Sequence, residues 1–238
     1  MKQNVRIEHS KTILLIGSGR LAKHLQHWNS LLEKPNTLLT WDRSQDPHAL
    51  VKYLNQCHIV WLAIRDSAII PFYETHLAGS DIPVVHFSGA LTDRRLSWAH
   101  PLMSFPEGLL AQYVYHSISF AIGANTDLDQ LLPGFKNSSF IVSDEHKPLY
   151  HALCVVAGNF PQLLWNEVDK SLAQLQIPDL AFQNYLSQVL QNFLTLKEKS
   201  LTGPLVRNDH LTINKNMASL NGTKLQTIYA AFVKEFSS

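Results

Sequence analysis

Two polar residues at the ends of apolar segments could do chemistry in this chain. Ser88 lies in His86-Phe87-Ser88-Gly89-Ala90-Leu91, and His100 lies twelve residues on, in Trp98-Ala99-His100-Pro101-Leu102. The first segment reads as a strand running out into a turn. In the second, Pro101 fixes its own φ and keeps His100 extended. An imidazole titrates near neutrality, so an extended His beside a Ser from the neighbouring loop suits exchange of a proton with a hydroxyl or carbonyl. The competing role for His100 is a buried ring satisfied by backbone. His86, inside its apolar run, reads as structural.

Such a pair needs a reaction partner, and the start of the chain offers one. The run Thr12-Ile13-Leu14-Leu15-Ile16 opens directly into Gly17-Ser18-Gly19-Arg20-Leu21-Ala22. This is a strand, a Gly-x-Gly-x-x-Ala turn and a helix, the arrangement that holds the pyrophosphate of a dinucleotide. The first glycine makes the turn, the second lets backbone approach phosphate, and the small third residue lets helix pack on strand. Residues 21–31 then read as a helix, with Leu21, Leu25, Trp28 and Leu32 on one face. Gly17, Ser18, Gly19, Arg20 and Leu21 are the candidate pyrophosphate ligands.

The next strand ends Thr40-Trp41-Asp42-Arg43-Ser44. An acid there suits the ribose hydroxyls of NAD, whereas Arg and Ser suit the 2′-phosphate of NADP. Both signals are present. Arg43 and Ser44 favour NADP, with NAD as the alternative. The third strand ends Leu62-Ala63-Ile64-Arg65-Asp66-Ser67, which places Ala63 and Ile64 beside the cofactor and makes Asp66 or Ser67 a helix cap. Farther on, His151, Asn159 and Asn166 fall on one broad helix face if Pro161 does not disturb the phase. Asn159 is the stronger candidate among them for substrate binding. Arg207, in Gly203-Pro204-Leu205-Val206-Arg207-Asn208-Asp209, could grip a substrate carboxylate or pair with Asp209.

Behind these residues stands an alternation of apolar runs and helical stretches over the first 145 residues. It predicts an α/β fold, a doubly wound parallel sheet, in residues 1–145. From 146 to 238 the texture is helical throughout and predicts an all-helical substrate and dimerisation domain.

The chain has 238 residues, 45% hydrophobic and 16% charged, with net charge +1. That balance gives no global field to draw nucleic acid or a membrane surface, and no run approaches the ~20 apolar residues of a membrane span. Residues 1–11 read as a polar, disordered lead-in rather than a secretory signal. Cys57 and Cys154 read as two buried free thiols of a reducing cytoplasm. The twelve His are scattered without ligand spacing, so no metal is expected; His24 and His27 read as a solvated helix face.

The ordered set formed by the Gly17 turn, Ser88-Gly89-Ala90-Leu91, Ala99-His100-Pro101-Leu102, His151 with Asn159, and Leu201-Thr202-Gly203-Pro204 with Arg207 and Asp209 resembles a family of bacterial Rossmann-like proteins. Its members carry a C-terminal helical domain of unknown function and are assigned as NADP-dependent oxidoreductases. More distantly the chain is similar to ketopantoate reductase, pyrroline-5-carboxylate reductase and the 6-phosphogluconate dehydrogenase group. The Ser88 and His100-Pro101 pair resembles that of prephenate dehydrogenases, which implies catalytic roles for both residues. The proton-donating lysine of ketopantoate reductase has no clear equivalent. The resemblance implies hydride transfer between NADP and a small, anionic hydroxy, carbonyl or imine substrate, in a cytoplasmic homodimer. Alternatives are a dinucleotide-binding sensor without turnover and a transferase using another nucleotide.

Overall fold

The computed structural model describes residues 10–237. The predicted lead-in falls almost wholly outside them. Along the chain the elements are β1 (Thr12–Ile16), α1 (Arg20–Ser30), β2 (Thr37–Trp41), α2 (Pro47–Leu54), β3 (Ile59–Leu62), α3 (Asp66–His76), β4 (Val84–His86), β5 (Ser97–Pro101), α4 (Gln112–Ser117), β6 (Phe120–Ile122), α5 (Leu128–Leu131), β7 (Ser139–Ile141) and α6 (Lys147–Cys154). A π turn, Val155–Asn159, leads into α7 (Phe160–Gln174), α8 (Asp179–Leu196), α9 (His210–Ser219) and α10 (Lys224–Phe236). The chain divides into two compact units, at Val155 and Val156. Helix α6 therefore counts with the sheet, although the helical texture of the sequence begins before it.

The first unit is a seven-stranded sheet in the order β2-β1-β3-β4-β5-β6-β7. Strands β1 to β5 are parallel, with Ile16 opposite both Trp41 and Leu62, and Leu62 opposite His86. Side chains alternate between the faces of a strand, and both faces of the central strands β1, β3 and β4 are buried. Ile13, Leu15, Trp61 and Val85 pack under α1 through Ala22, Leu25 and Trp28. Leu14, Ile16, Val60 and Leu62 pack under α2 and α3 through Leu50 and Ile69. This is the doubly wound Rossmann-like arrangement, and the strand order reverses between β1 and β3.

Two features were not legible as apolar runs. Strand β5 carries Ser97 and His100 among its five residues, so its hydrophobic signal is broken. Strand β6 runs antiparallel to β5, with His100 opposite Ala121, and β7 runs parallel to β6. The sheet is thus mostly, not wholly, parallel.

His24 corrects the expectation of a solvated helix face. It is buried, with Nδ1 2.6 Å from the Tyr115 hydroxyl and Nε2 2.9 Å from the Pro106 carbonyl. A carbonyl cannot donate, so Nε2 carries the proton and Nδ1 accepts from Tyr115 when the ring is neutral. Cys57 and Cys154 are free, but half-buried rather than buried.

In the second unit, Pro161 sits in the first turn of α7, where a missing N–H is harmless. The π turn before it shifts the helical phase between His151 and Asn159. Ile213 is the one buried apolar side chain of this unit among the described residues. Phe160, Leu163, Leu164, Ile228 and Phe232 line a groove of about 540 Å³, with Glu167 and Lys224 as its polar lining.

The turn after β1 depends on Gly17. Its φ is +122°, and a Cβ there would stand 2.4 Å from the Ala63 carbonyl oxygen. The clashing atoms of Ala63 are backbone, so no side-chain rotation relieves the overlap. Gly17→Ala is expected to destabilise the protein by about 1–3 kcal/mol from the φ strain alone, with the overlap adding to it. The shift in urea midpoint measures this, and an unchanged midpoint would mean that the turn can be rebuilt.

Candidate functional site

The carboxyl ends of β1, β2 and β3 form the first part of the site. Gly17 donates its N–H to the Trp41 carbonyl at 2.8 Å, and Ala63 donates to the Ile16 carbonyl at 2.9 Å. Ala63 and Ile64 therefore lie against the Gly17 turn. Gly19 is the N-cap of α1 and supplies no side-chain cap, so the first-turn N–H groups stay available. Space beside Gly19 is open, with no atom within 4 Å of where a Cβ would be. Ala22 is fully buried and lets α1 lie close on the sheet. One wall of this turn admits no side chain and the other faces open space, a cradle that fits a pyrophosphate on the helix N-terminus. Ser18 is exposed, and Leu21 packs on the core below. Arg20 donates to the Phe105 carbonyl at 3.2 Å and stands 3.8 Å from Glu107.

At the end of β2, Asp42 accepts hydrogen bonds from the Ser44 N–H (2.8 Å) and hydroxyl (2.5 Å). These bonds, with a smaller contribution from Arg43, hold its carboxyl below the usual range. Ser44 is thereby committed to Asp42. Arg43 is exposed and forms no ion pair among the described residues.

The second part of the site is built on β4, β5 and α6. Trp98 and His100 are two residues apart on β5 and share a face. Because β6 and β7 run against β5, the chain leaving β7 must return along β5, and α6 makes that return. Lys147, Tyr150 and His151 stand at i, i+3 and i+4 of this helix, on one side of it. Lys147 lies over Trp98, with Nζ 3.7 Å from the ring centroid. Tyr150 meets His100, its hydroxyl 2.9 Å from Nδ1. His151 faces both His100, at 6.0 Å between ring centroids, and Gly89. A Cβ on Gly89 would stand 2.2 Å from the His151 ring and 3.0 Å from His100 Nε2. Gly89 thus allows the two imidazoles to approach the 88–91 turn.

Ser88 braces that turn. Its hydroxyl donates to Asp66 at 2.5 Å and accepts from the N–H groups of Ala90 and Leu91, while its own N–H donates to His86 Nδ1. Asp66 was expected as a helix cap. It sits inside the first turn of α3 without a capping bond, and its carboxylate receives Ser88.

The electrostatics follow from burial. His100 is pulled down to about 4, first by desolvation and then by the neighbouring His151 and Lys147. His86 falls to about 3 for the same first reason, with Lys147 next, and its Nε2 is buried without a partner. Burial lowers Lys147 to about 7 and raises the Tyr150 hydroxyl. At neutral pH His100 is a neutral base.

Sequence reasoning singled out Ser88 and His100, and the structure brings them to one turn. It passed over Lys147 and Tyr150. A signal was present: a lysine in the first turn of a helix opposes the helix dipole, and such a local conflict often marks a site. Asn159 and Arg207 belong to the second unit, and both are exposed. Asp209 caps α9 by accepting from Thr212, and no ion pair forms between it and Arg207.

Residues 121–236 match DUF2520, a domain of unknown function. The match begins in β6, so it spans the inverted strands and α6 as well as the second unit. A search of curated proteins finds no match to this sequence. Among solved structures the chain is similar to a proposed NADP oxidoreductase from Bacteroides fragilis, at 16% identity and a TM-score of 0.76, covering 96% of this chain and 98% of that one. It is also similar to a reductive aminase from Aspergillus terreus in complex with NADPH4, cyclohexanone and allyl amine, at 12% identity and a TM-score of 0.62, covering 96% and 95%. A third is 1-pyrroline-5-carboxylate reductase from Streptococcus pyogenes, at 16% and 0.55, covering 95% and 96%. At these identities the likeness establishes the Rossmann-like fold with a helical C-terminal region.

Two outcomes follow. Gly89→Ala should push the His151 ring off the turn and lower any activity of this site at least tenfold, with a native circular dichroism spectrum; full activity would detach Gly89 from the site. Between pH 6.5 and about 4 the unfolded chain binds protons that native His100 and His86 refuse, so stability falls as pH drops through that window. His100→Gln should flatten this slope in urea melts between pH 7 and 4.5.

Proposed function

We propose that this chain is an NADP-dependent oxidoreductase acting on a small anionic hydroxy, carbonyl or imine compound. The observation that carries the reading is the pairing of a Gly17–Gly19 cradle with a neutral His100 on the carboxyl side of the same sheet. Gly17, Ser18, Gly19, Arg20 and Leu21 hold the pyrophosphate, with Ala63 and Ile64 beside the dinucleotide. Arg43 takes the 2′-phosphate, and Ser44 joins it on releasing Asp42. The ionised Asp42 is the feature that favours NAD, because a carboxylate repels a 2′-phosphate and accepts from a ribose hydroxyl.

A dinucleotide held there would supply the chemistry of hydride transfer. His100 exchanges the accompanying proton. When its Nδ1–H is donated to the Tyr150 oxygen, Nε2 is the basic nitrogen, and it stands beside Gly89. As hydride leaves a substrate carbon, Nε2 takes the proton of the attached hydroxyl; in the reverse direction the imidazolium returns it. Ser88 holds the turn against which this occurs. Arg207 and Asn159 orient the substrate's anionic group.

The reading extends to assembly and place. The second unit leaves Tyr185, Val189, Leu190, Phe193 and Leu194 of α8 at least half exposed or nearly so, more than a solvated helix carries. We assign this face to a homodimer. No helix among the described residues is long and apolar enough to cross a membrane, and a cytoplasmic location fits the two free thiols.

Titration of the protein with NADPH and NADH, followed by nicotinamide fluorescence, tests the cofactor. Micromolar NADPH binding with weaker NADH binding is expected. Arg43→Ala should weaken NADPH at least tenfold and leave NADH unchanged. Preference for NADH would make Asp42 the ribose ligand; binding of neither would remove the oxidoreductase reading, and binding without hydride exchange would make the protein a sensor.

A further inference from the structure

Lys147 is fully buried, yet among the described residues no carboxylate lies within ion-pair distance of it. Its ammonium donates to the Leu91 carbonyl and rests on the Trp98 face. The charged and titratable groups around it come from four directions. Asp66 of α3 and Asp144, just before α6, favour its charge. His86 of β4 and His100 of β5 are disfavoured by it as cations. Asp93 bears on His86 from the loop before β5, and His151 on His100 from α6 itself. Taking an ammonium out of water without a contact partner is expensive. At a helix start the dipole adds to the penalty. An apolar side chain of similar length would fill this place with less strain on stability, so packing alone does not explain a lysine here.

We propose that Lys147 is the positioning residue of the His100 centre: its ammonium clamps the Leu91 carbonyl to the Trp98 face, which holds Gly89 against His100 and His151, and its charge opposes a second positive charge on His100. This deepens the proposed function, since it rests on His100 as the proton-exchanging group. Lys147 touches none of the reacting atoms. It acts through the 88–91 turn and through its field. Tyr150 and His151 share its helix face, so the clamp at Lys147 also sets the depth at which both approach His100. The consequence is a base that stays unprotonated when the solution turns mildly acidic, because Lys147 is itself most fully charged there.

The experiment is a proton NMR titration of the imidazole signals in the full chain. The His100 signal is identified by its absence from His100→Gln. In the unaltered protein, His100 should remain neutral to below pH 5, and its signal should drift between pH 6 and 8 as Lys147 gains or loses its proton. In Lys147→Met and in Lys147→Gln, His100 should bind protons about threefold more tightly, a shift of about half a pH unit upward. Lys147→Gln can still donate to the Leu91 carbonyl, so a shift in both variants assigns the effect to charge. A His100 titration near 6.5 in the unaltered chain overturns the proposal. So does an unchanged titration in variants with native circular dichroism. If neither variant folds, the signal of the unaltered chain between pH 6 and 8 decides: drift supports the field of Lys147 at His100, and a flat line overturns the proposal. Absence of dinucleotide binding or hydride exchange would instead overturn the proposed function and leave these titrations readable.

Discussion

In a parallel ladder every strand must finish at the same edge, and each crossover must carry the chain back to begin again. The first five strands obey this rule, so the turns after β1, β2, β3 and β4 collect along one edge. Because the order reverses between β1 and β3, crossovers from the two sides part there and leave a crevice. Gly17 stands at that point. Its approach to Ala63 is therefore more than a local turn requirement: it brings two strand ends together closely enough for one ligand to span them.

The inversion at β6 performs a different task. Had β6 followed the parallel rule, the segment after β7 would have emerged at the same edge as the other turns, and a helix leaving it would run against β5 rather than with it. With β6 and β7 reversed, α6 starts near Trp98 and climbs to His100. Three side chains of one helix turn then meet three successive features of the sheet: an indole face, an imidazole and a bare glycine. Burial makes that meeting electrostatically one-sided. The same desolvation that keeps His86 and His100 neutral pulls down the Lys147 ammonium, and no carboxylate sits in direct contact with it to relieve the site.

What the sequence disclosed follows the same physics. The Gly17 turn was legible because its strand is apolar from Ile13 to Ile16 and its glycines are spaced for one turn. Ser88 and His100 were legible because each is a polar residue at the end of an apolar run. Strand β5 was hidden by Ser97 and His100, which interrupt its alternation. Lys147 was passed over because its conflict with the helix dipole is weak evidence unless the residue is buried. Its burial depends on the direction of β6, which no local pattern encodes. His24 misled for a related reason: its partners Tyr115 and Pro106 lie far along the chain, so nothing near it in sequence marks it as buried.

The face shared by Lys147, Tyr150 and His151 has a consequence for how this chain can change length. A residue inserted before Lys147 lengthens a loop, and loops absorb length at little free-energy expense. A residue inserted between Lys147 and Tyr150 turns everything after it by about 100° about the helix axis. Tyr150 and His151 would swing away from His100 and Gly89 while Lys147 stayed in place. Insertions and deletions among relatives that keep this centre should accordingly gather in the segment between β7 and α6, and the interval from Lys147 to His151 should keep its length even where its other residues vary.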